Sequence, residues 1–186
     1  MKKLIYTLML ILAGILTAYP QRMLPGKKGL EINAGILPGD APKSNYYLNG
    51  TMTVNGKNGN YQLWALEYSR QHFHYKDHSI PQETYSAEAG YSFFILGDIS
   101  RNIALNTSVT ALAGYESINK GETNLFDGAE LLSGDNFIYG GGLRLSLEIY
   151  LSDYLVLVLQ ARLKALWGTD LERLRPSTGA GLRFNL

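Results

Sequence analysis

The sequence predicts an all-β chain of eight long antiparallel strands, running up and down and closing into a barrel. Three observations predict it. Period-two alternation of apolar and polar residues recurs along the chain, and no stretch shows convincing helical periodicity. The alternating segments run to about 9–14 residues, against about 5–6 for ordinary soluble strands. Charge in mid-strand gathers on one face of the alternation and leaves the other almost free of it.

Residues 1–18 read as a cleaved signal peptide rather than as part of the fold. Lys2 and Lys3 precede an apolar run from Leu4 to Leu16, and small residues follow at Thr17 and Ala18. That run is about 13 residues, short of the roughly 20 a spanning helix needs. Cutting after Ala18 leaves a short periplasmic segment over 19–28 and a barrel over 29–186. The alternative is an uncleaved N-terminal anchor. Either way the body is exported.

The strands follow in order. Leu30, Ile32, Ala34 and Ile36 oppose Glu31, Asn33 and Gly35. Leu48, Met52 and Val54 oppose Tyr47, Asn49, Thr51 and Thr53. Trp64, Leu66 and Tyr68 oppose Ala65, Glu67 and Ser69. Tyr85, Ala87, Ala89, Tyr91, Phe93 and Ile95 oppose Ser86, Glu88, Gly90 and Ser92. A fifth segment runs from Ile103 to Tyr115. Phe137 to Tyr150 and Tyr154 to Trp167 form one long hairpin about Ser152-Asp153. Thr178, Ala180, Leu182, Phe184 and Leu186 close the series against Gly179, Gly181, Arg183 and Asn185.

Two closed architectures accept eight such strands. A soluble lipocalin-like ligand carrier has an apolar interior, and an outer-membrane barrel has an apolar exterior. The charges decide. Glu31, Glu67, Glu88, Arg144, Glu148, Arg162, Lys164 and Arg183 share one face, and both signs are present. Pointed inward, they close into an internal salt-bridge network. Pointed outward into lipid, an Arg or Lys costs about 2–4 kcal/mol at the midplane.

Loop lengths agree with the membrane reading. Connections two, four and six are short (Gly56 to Gly59, Gly97 to Asn102, Ser152-Asp153). Connections one, three, five and seven are longer (Pro38 to Asn45, Tyr75 to Gln82, Ser117 to Asn136, Gly168 to Pro176). That parity puts both termini at the periplasmic end. Tyr115, Phe137, Tyr139 and Trp167 then mark an outer rim, and Tyr91, Phe93 and Phe184 an inner one.

Composition narrows the chemistry. Lys plus Arg is 17 and Asp plus Glu is 16, so the net charge of +1 gives no basic face for direct nucleic-acid binding. The absence of Cys removes disulfides, thiolate metal sites, a Cys nucleophile and a cysteine lipid anchor.

The stretch Gln21-Arg22-Met23-Leu24-Pro25-Gly26, followed by Lys28-Gly29-Leu30-Glu31-Ile32-Asn33-Ala34-Gly35, resembles the TraO family of conjugal transfer proteins, encoded by conjugative transposons of the Bacteroidetes. The resemblance continues through Gly140-Gly141-Gly142 and Gly181-Leu182-Arg183-Phe184. It implies a place in a cell-to-cell DNA-transfer apparatus alongside other transfer proteins. It implies no catalytic residues.

Other candidates are weaker. His72, His74 and His78 cluster, but with Asp77 as the sole nearby carboxylate they make a poor metal site. Ser69, Glu67 and His72 are the best set for a barrel enzyme acting on envelope lipid, although Glu67 fits the internal charge network better. Gly140-Gly141-Gly142 lacks the Lys-Ser/Thr and helix of a phosphate loop, and reads as strand glycines relieving curvature or making room for large neighbours. The longest loop, Ser117 to Asn136, is acidic on balance and carries Leu125, Phe126, Leu131 and Leu132, the best partner-contact candidates. The expectation is a non-enzymatic outer-membrane barrel without cofactor, metal or identified small-molecule substrate, in contact with membrane lipid and with transfer proteins or a cell surface.

Overall fold

The computed structural model describes residues 24–39, 45–75, 78–98, 102–119 and 134–186. The expected leader lies outside them, as do Leu125, Phe126, Leu131 and Leu132. The chain forms β1 (Lys28–Ile36), β2 (Tyr46–Asn55), β3 (Tyr61–Tyr75), β4 (His78–Gly97), β5 (Ile103–Ile118), β6 (Asn136–Tyr150), β7 (Leu155–Trp167) and β8 (Leu174–Asn185). Each strand pairs antiparallel with its sequence neighbour, and β8 pairs with β1, so the sheet is a closed barrel with no edge along the wall.

Stagger sets the tilt. Pairing followed from Glu31 across β2 to β7 arrives at Leu166, whose amide donates to the carbonyl of Arg173. Glu31 itself pairs with Arg183, so the circuit closes with a ten-residue offset between 173 and 183. An offset of this size over eight strands goes with strands tilted by about 35–45°.

The polarity is that of a soluble protein turned inside out. Leu66 and Ile32 are 71% and 68% exposed, while Glu31, Glu116 and Glu148 are at most 1% exposed. The alternation read from the sequence holds in all eight strands but for the end of β4, and the polar face is the inner one. A lipocalin-like carrier requires the reverse, so that alternative falls.

Three expectations need correction. Connection three was read as a long loop from Tyr75 to Gln82. Pairing continues instead from Gln71 opposite Gln82 to Tyr75 opposite His78, so only residues 76 and 77 lie between the strands. This hairpin outruns its neighbours, since β2 stops at Tyr46 opposite Arg70 and β5 at Ile118 opposite Gln82. Pro81 concealed it, because proline argues against a strand interior. Its place explains the exception. The opposing His72 amide donates to Asn45 Oδ1, away from β4. The donor that Pro81 lacks would therefore face the other edge, beyond the end of β5, where a missing donor discourages strand addition.

β8 likewise begins at Leu174, not after Pro176. Pro176 lies where β8 pairs with β7 alone, β1 having stopped at Ile36 opposite Thr178. The alternation in β4 also slips near its end. A register shift between Phe94 and Leu96 leaves Phe94, Ile95 and Leu96 all exposed at the inner rim.

The aromatic rims form where the sequence put them, and the upper one is wider. Tyr46, Tyr68 and Tyr85 follow one another at centroid spacings of 6.2 and 5.2 Å. Tyr85 pairs with Tyr115, and Tyr115 with Phe137. Tyr139 and Trp167 stack at 6.4 Å. At the other end Tyr91 and Phe93 meet edge-on at 5.0 Å, and Phe184 is exposed.

Candidate functional site

The inner wall brings its charges together in three layers. The lowest centres on Arg183. Its Nε donates to Glu31 Oε2 at 2.8 Å, and its two terminal nitrogens donate to Glu148 at 3.0 and 2.9 Å. Arg144 donates to Glu31 Oε1 at 2.5 Å. The hydroxyls of Tyr61 and Tyr150 donate to Glu148 at 2.8 and 3.1 Å, and the Arg183 guanidinium lies 4.7 Å from the Tyr61 ring centre. The bidentate geometry makes Arg183 the clamp of this layer.

The middle layer centres on Glu67, which accepts from Arg162 at 2.5 Å and from Lys164 at 2.7 Å. Lys164 also pairs with Glu88. Arg162 stacks on Tyr47 at 3.9 Å and donates from Nε to Ser177. Two amides join these layers. Asn33 Nδ2 donates to Glu31 at 2.8 Å and to Asn49 at 3.3 Å, and Asn49 donates to Glu67 at 3.2 Å.

All eight charged residues predicted from the sequence therefore lie inside, and each is paired. The upper layer was missed. Arg175 donates to Glu116 at 2.6 Å, Gln82 donates to the same carboxylate at 2.5 Å, and the Thr169 hydroxyl donates to it at 2.8 Å. Glu116 follows the outward Tyr115, so its inward parity was legible. Arg175 was hidden in a presumed loop. With this pair the described interior holds five carboxylates (Glu31, Glu67, Glu88, Glu116, Glu148) and five cations (Arg144, Arg162, Lys164, Arg175, Arg183), and is electrically neutral.

Neutrality and mutual hydrogen bonding make the burial tolerable. An isolated buried charge costs several kcal/mol, and removing one partner of a buried pair costs about 3–5 kcal/mol. Apolar layers fill the remaining space. Leu112, Ile138 and Leu166 form one cluster, and Ala104, Tyr150, Val156 and Val158 another. Voids lined by interior residues measure about 20 and 10 Å³, space on the scale of single waters. This interior braces the wall and leaves no lumen of macromolecular width among the described residues.

The hydrolase set is not assembled, and the side chains of His74, Asp77 and His78 in the histidine cluster lie outside the described residues. Glu67 and Ser69 face inward, while the alternation of β3 sets His72 on the face of Tyr68. His74 opposes Ser79 and His78 opposes Tyr75 in the β3–β4 register. Among the described residues no group of three or more acidic or histidine side chains is placed to hold a metal. Gly140, Gly141 and Gly142 lie within β6. A Cβ on Gly140 would come within 2.0 Å of the Ala165 carbonyl, so close strand approach accounts for that glycine.

A family model described as conjugative transposon protein TraO matches residues 24–186. The chain belongs to the TraO family. No curated protein matches it. Among solved structures, this TraO chain is similar in fold to Neisserial surface protein A, with 14% identity over 87% of this chain and 97% of that one and a TM-score of 0.58. It is similar to Ail, the attachment invasion locus protein of Yersinia pestis, with 14% identity over 88% and 100% of the two chains and a TM-score of 0.57. It is also similar to a major outer membrane protein of Thermus thermophilus, with 9% identity over 86% and 98% and a TM-score of 0.59. At these identities the likeness is one of fold.

Proposed function

We propose that this TraO protein is an outer-membrane component of a conjugative DNA-transfer apparatus, exported by its N-terminal signal peptide. It acts without catalysis, through contacts with other transfer proteins or with the surface of a recipient cell. One observation carries the reading: in a chain of a conjugative family, a filled, charge-neutral interior stands inside an apolar exterior. The exterior suits lipid and the interior offers no passage for DNA. What remains for interaction are the longer connections at the end away from the termini, on a rigid scaffold. The apolar points Leu125, Phe126, Leu131 and Leu132 are the contact candidates.

Deletion of the gene in a donor strain tests this reading. Transfer frequency is expected to collapse and to return with the wild-type gene. Replacing the four apolar loop residues with Ser is expected to lower transfer while barrel levels stay constant. Unchanged transfer after deletion would leave a general envelope barrel and overturn the role in conjugation.

A further inference from the structure

The outer wall is not evenly convex. Two adjoining hollows of about 780 and 880 Å³ share Ile32, Gly50, Leu66, Ala87 and Ala113, and together make one groove across β1 to β5. Its floor is low at Gly50 and, beyond the projecting Leu66, at the Ala87–Ala113 and Ala89–Ala111 cross-strand pairs, where the opposite wall carries Leu143, Leu145, Leu159 and Leu163. Gly50 has no reason within the fold. A Cβ there would meet nothing within 4 Å, and glycine weakens a mid-strand position. What Gly50 supplies is depth on the outside, where something else approaches.

The top of the groove says what that is. Tyr68, Tyr85 and Tyr115 rim it at the upper aromatic belt. One outward step above Tyr68 stands Arg70, paired laterally with Tyr46 and Glu83. Its Nε lies 3.9 Å from Glu83 Oε1 and has no hydrogen-bond partner, while Glu83 accepts a hydrogen bond from the Tyr68 hydroxyl. A hydrocarbon slot running down from an aromatic rim, with a guanidinium whose Nε lacks a hydrogen-bond partner at headgroup depth, matches an acyl chain below a phosphate.

We infer that the β1–β5 groove is a binding site for one acyl lipid whose phosphate headgroup is net anionic, its chain over Gly50 and its phosphate at Arg70. The inference rests on the membrane location proposed above. The chain has two tryptophans, and Trp64 lines the groove. In a Trp167→Phe variant, Trp64 therefore reports the groove alone. The full-length mature protein is folded into phosphatidylcholine vesicles containing increasing fractions of phosphatidylglycerol brominated in its chains, with brominated phosphatidylcholine as the comparison.

Trp64 quenching is expected to saturate at a severalfold lower fraction of the phosphatidylglycerol. Gly50→Leu, which fills open space, is expected to abolish that early saturation. Arg70→Gln is expected to abolish the headgroup preference and keep chain contact. Equal quenching by the two lipids, or a preference untouched by Gly50→Leu, would overturn the lipid site. A second protein chain covering Trp64 against both lipids would overturn it as well. No quenching by either lipid in a folded barrel would instead contradict the membrane location.

Discussion

Arg183, on the last strand, donates to Glu31, on the first, at 2.8 Å across the seam that closes the barrel. The two are 152 residues apart in sequence. They stand directly opposite in the β1–β8 register, both fully enclosed, so the side-chain clamp and the backbone closure form at the same place. Arg183 also holds Glu148 on β6, so one guanidinium ties three strands together.

Arg183→Met should therefore be among the most damaging single changes in the chain. It strands Glu31 and Glu148 against partners that cannot satisfy both, at a cost of about 3–5 kcal/mol. Urea titration of the vesicle-folded protein, followed by tryptophan fluorescence, measures the loss. Combined with Glu31→Gln, the double variant should lose less than the two single losses added together, because the residues act as a unit.

Glu67→Gln separates bracing from chemistry. Arg162 and Lys164 share this carboxylate, and Lys164 keeps Glu88 when it is removed. Unfolding should come at lower urea, while transfer per folded molecule stays at the wild-type level. A folded Glu67→Gln barrel with abolished transfer, scored alongside its abundance in the envelope, would point to a chemical role for this carboxylate.

The exterior predicts the opposite sensitivity. Leu143 is 56% exposed midway along β6, and its neighbour Arg144 is buried. Leu143→Arg moves a charge by one residue and places it in the apolar belt. The expected cost is about 2–4 kcal/mol, read in the same urea titration. In a water-facing wall the same change would be nearly neutral.

Tyr47 gives a packing test. A Cβ on Gly179 would fall 2.2 Å from the Tyr47 hydroxyl, and one on Gly35 would fall 2.3 Å from its ring. These glycines make room for Tyr47, whose ring stacks on Arg162 and whose hydroxyl accepts from Gln160, and for the close Thr178 and Ala34 carbonyls. Gly179→Ala should push Tyr47 aside and destabilise by about 1–3 kcal/mol, as overpacking does. Adding Tyr47→Phe should restore part of the loss by removing the clashing oxygen.

Most of this was legible because a barrel wall obeys parity. Once Leu155 to Trp167 fixed which face was apolar, each charged residue an odd number of positions from the apolar residues of its strand fell on the other face, and all eight network members lie inside. Parity fails where a strand is irregular. Pro81 and Pro176 disguised paired backbone as loop, which hid the β3–β4 extension and Arg175. The slip near Ile95 exposed three residues in succession. Pairings across the lumen, such as Arg183 with Glu148, depend on stagger, which no local pattern encodes. The groove was unreadable for a related reason. Gly50, Leu66, Ala87 and Ala113 lie on four separate strands, and only the register sets them in one row.

The most direct test of the central claim joins location to folding. Envelopes of the native host are fractionated, and the protein is run in detergent gels unheated and boiled. The account predicts a protein in the outer-membrane fraction whose mobility changes on boiling, because a closed barrel resists detergent until it is heated. A soluble periplasmic protein without that change would contradict it.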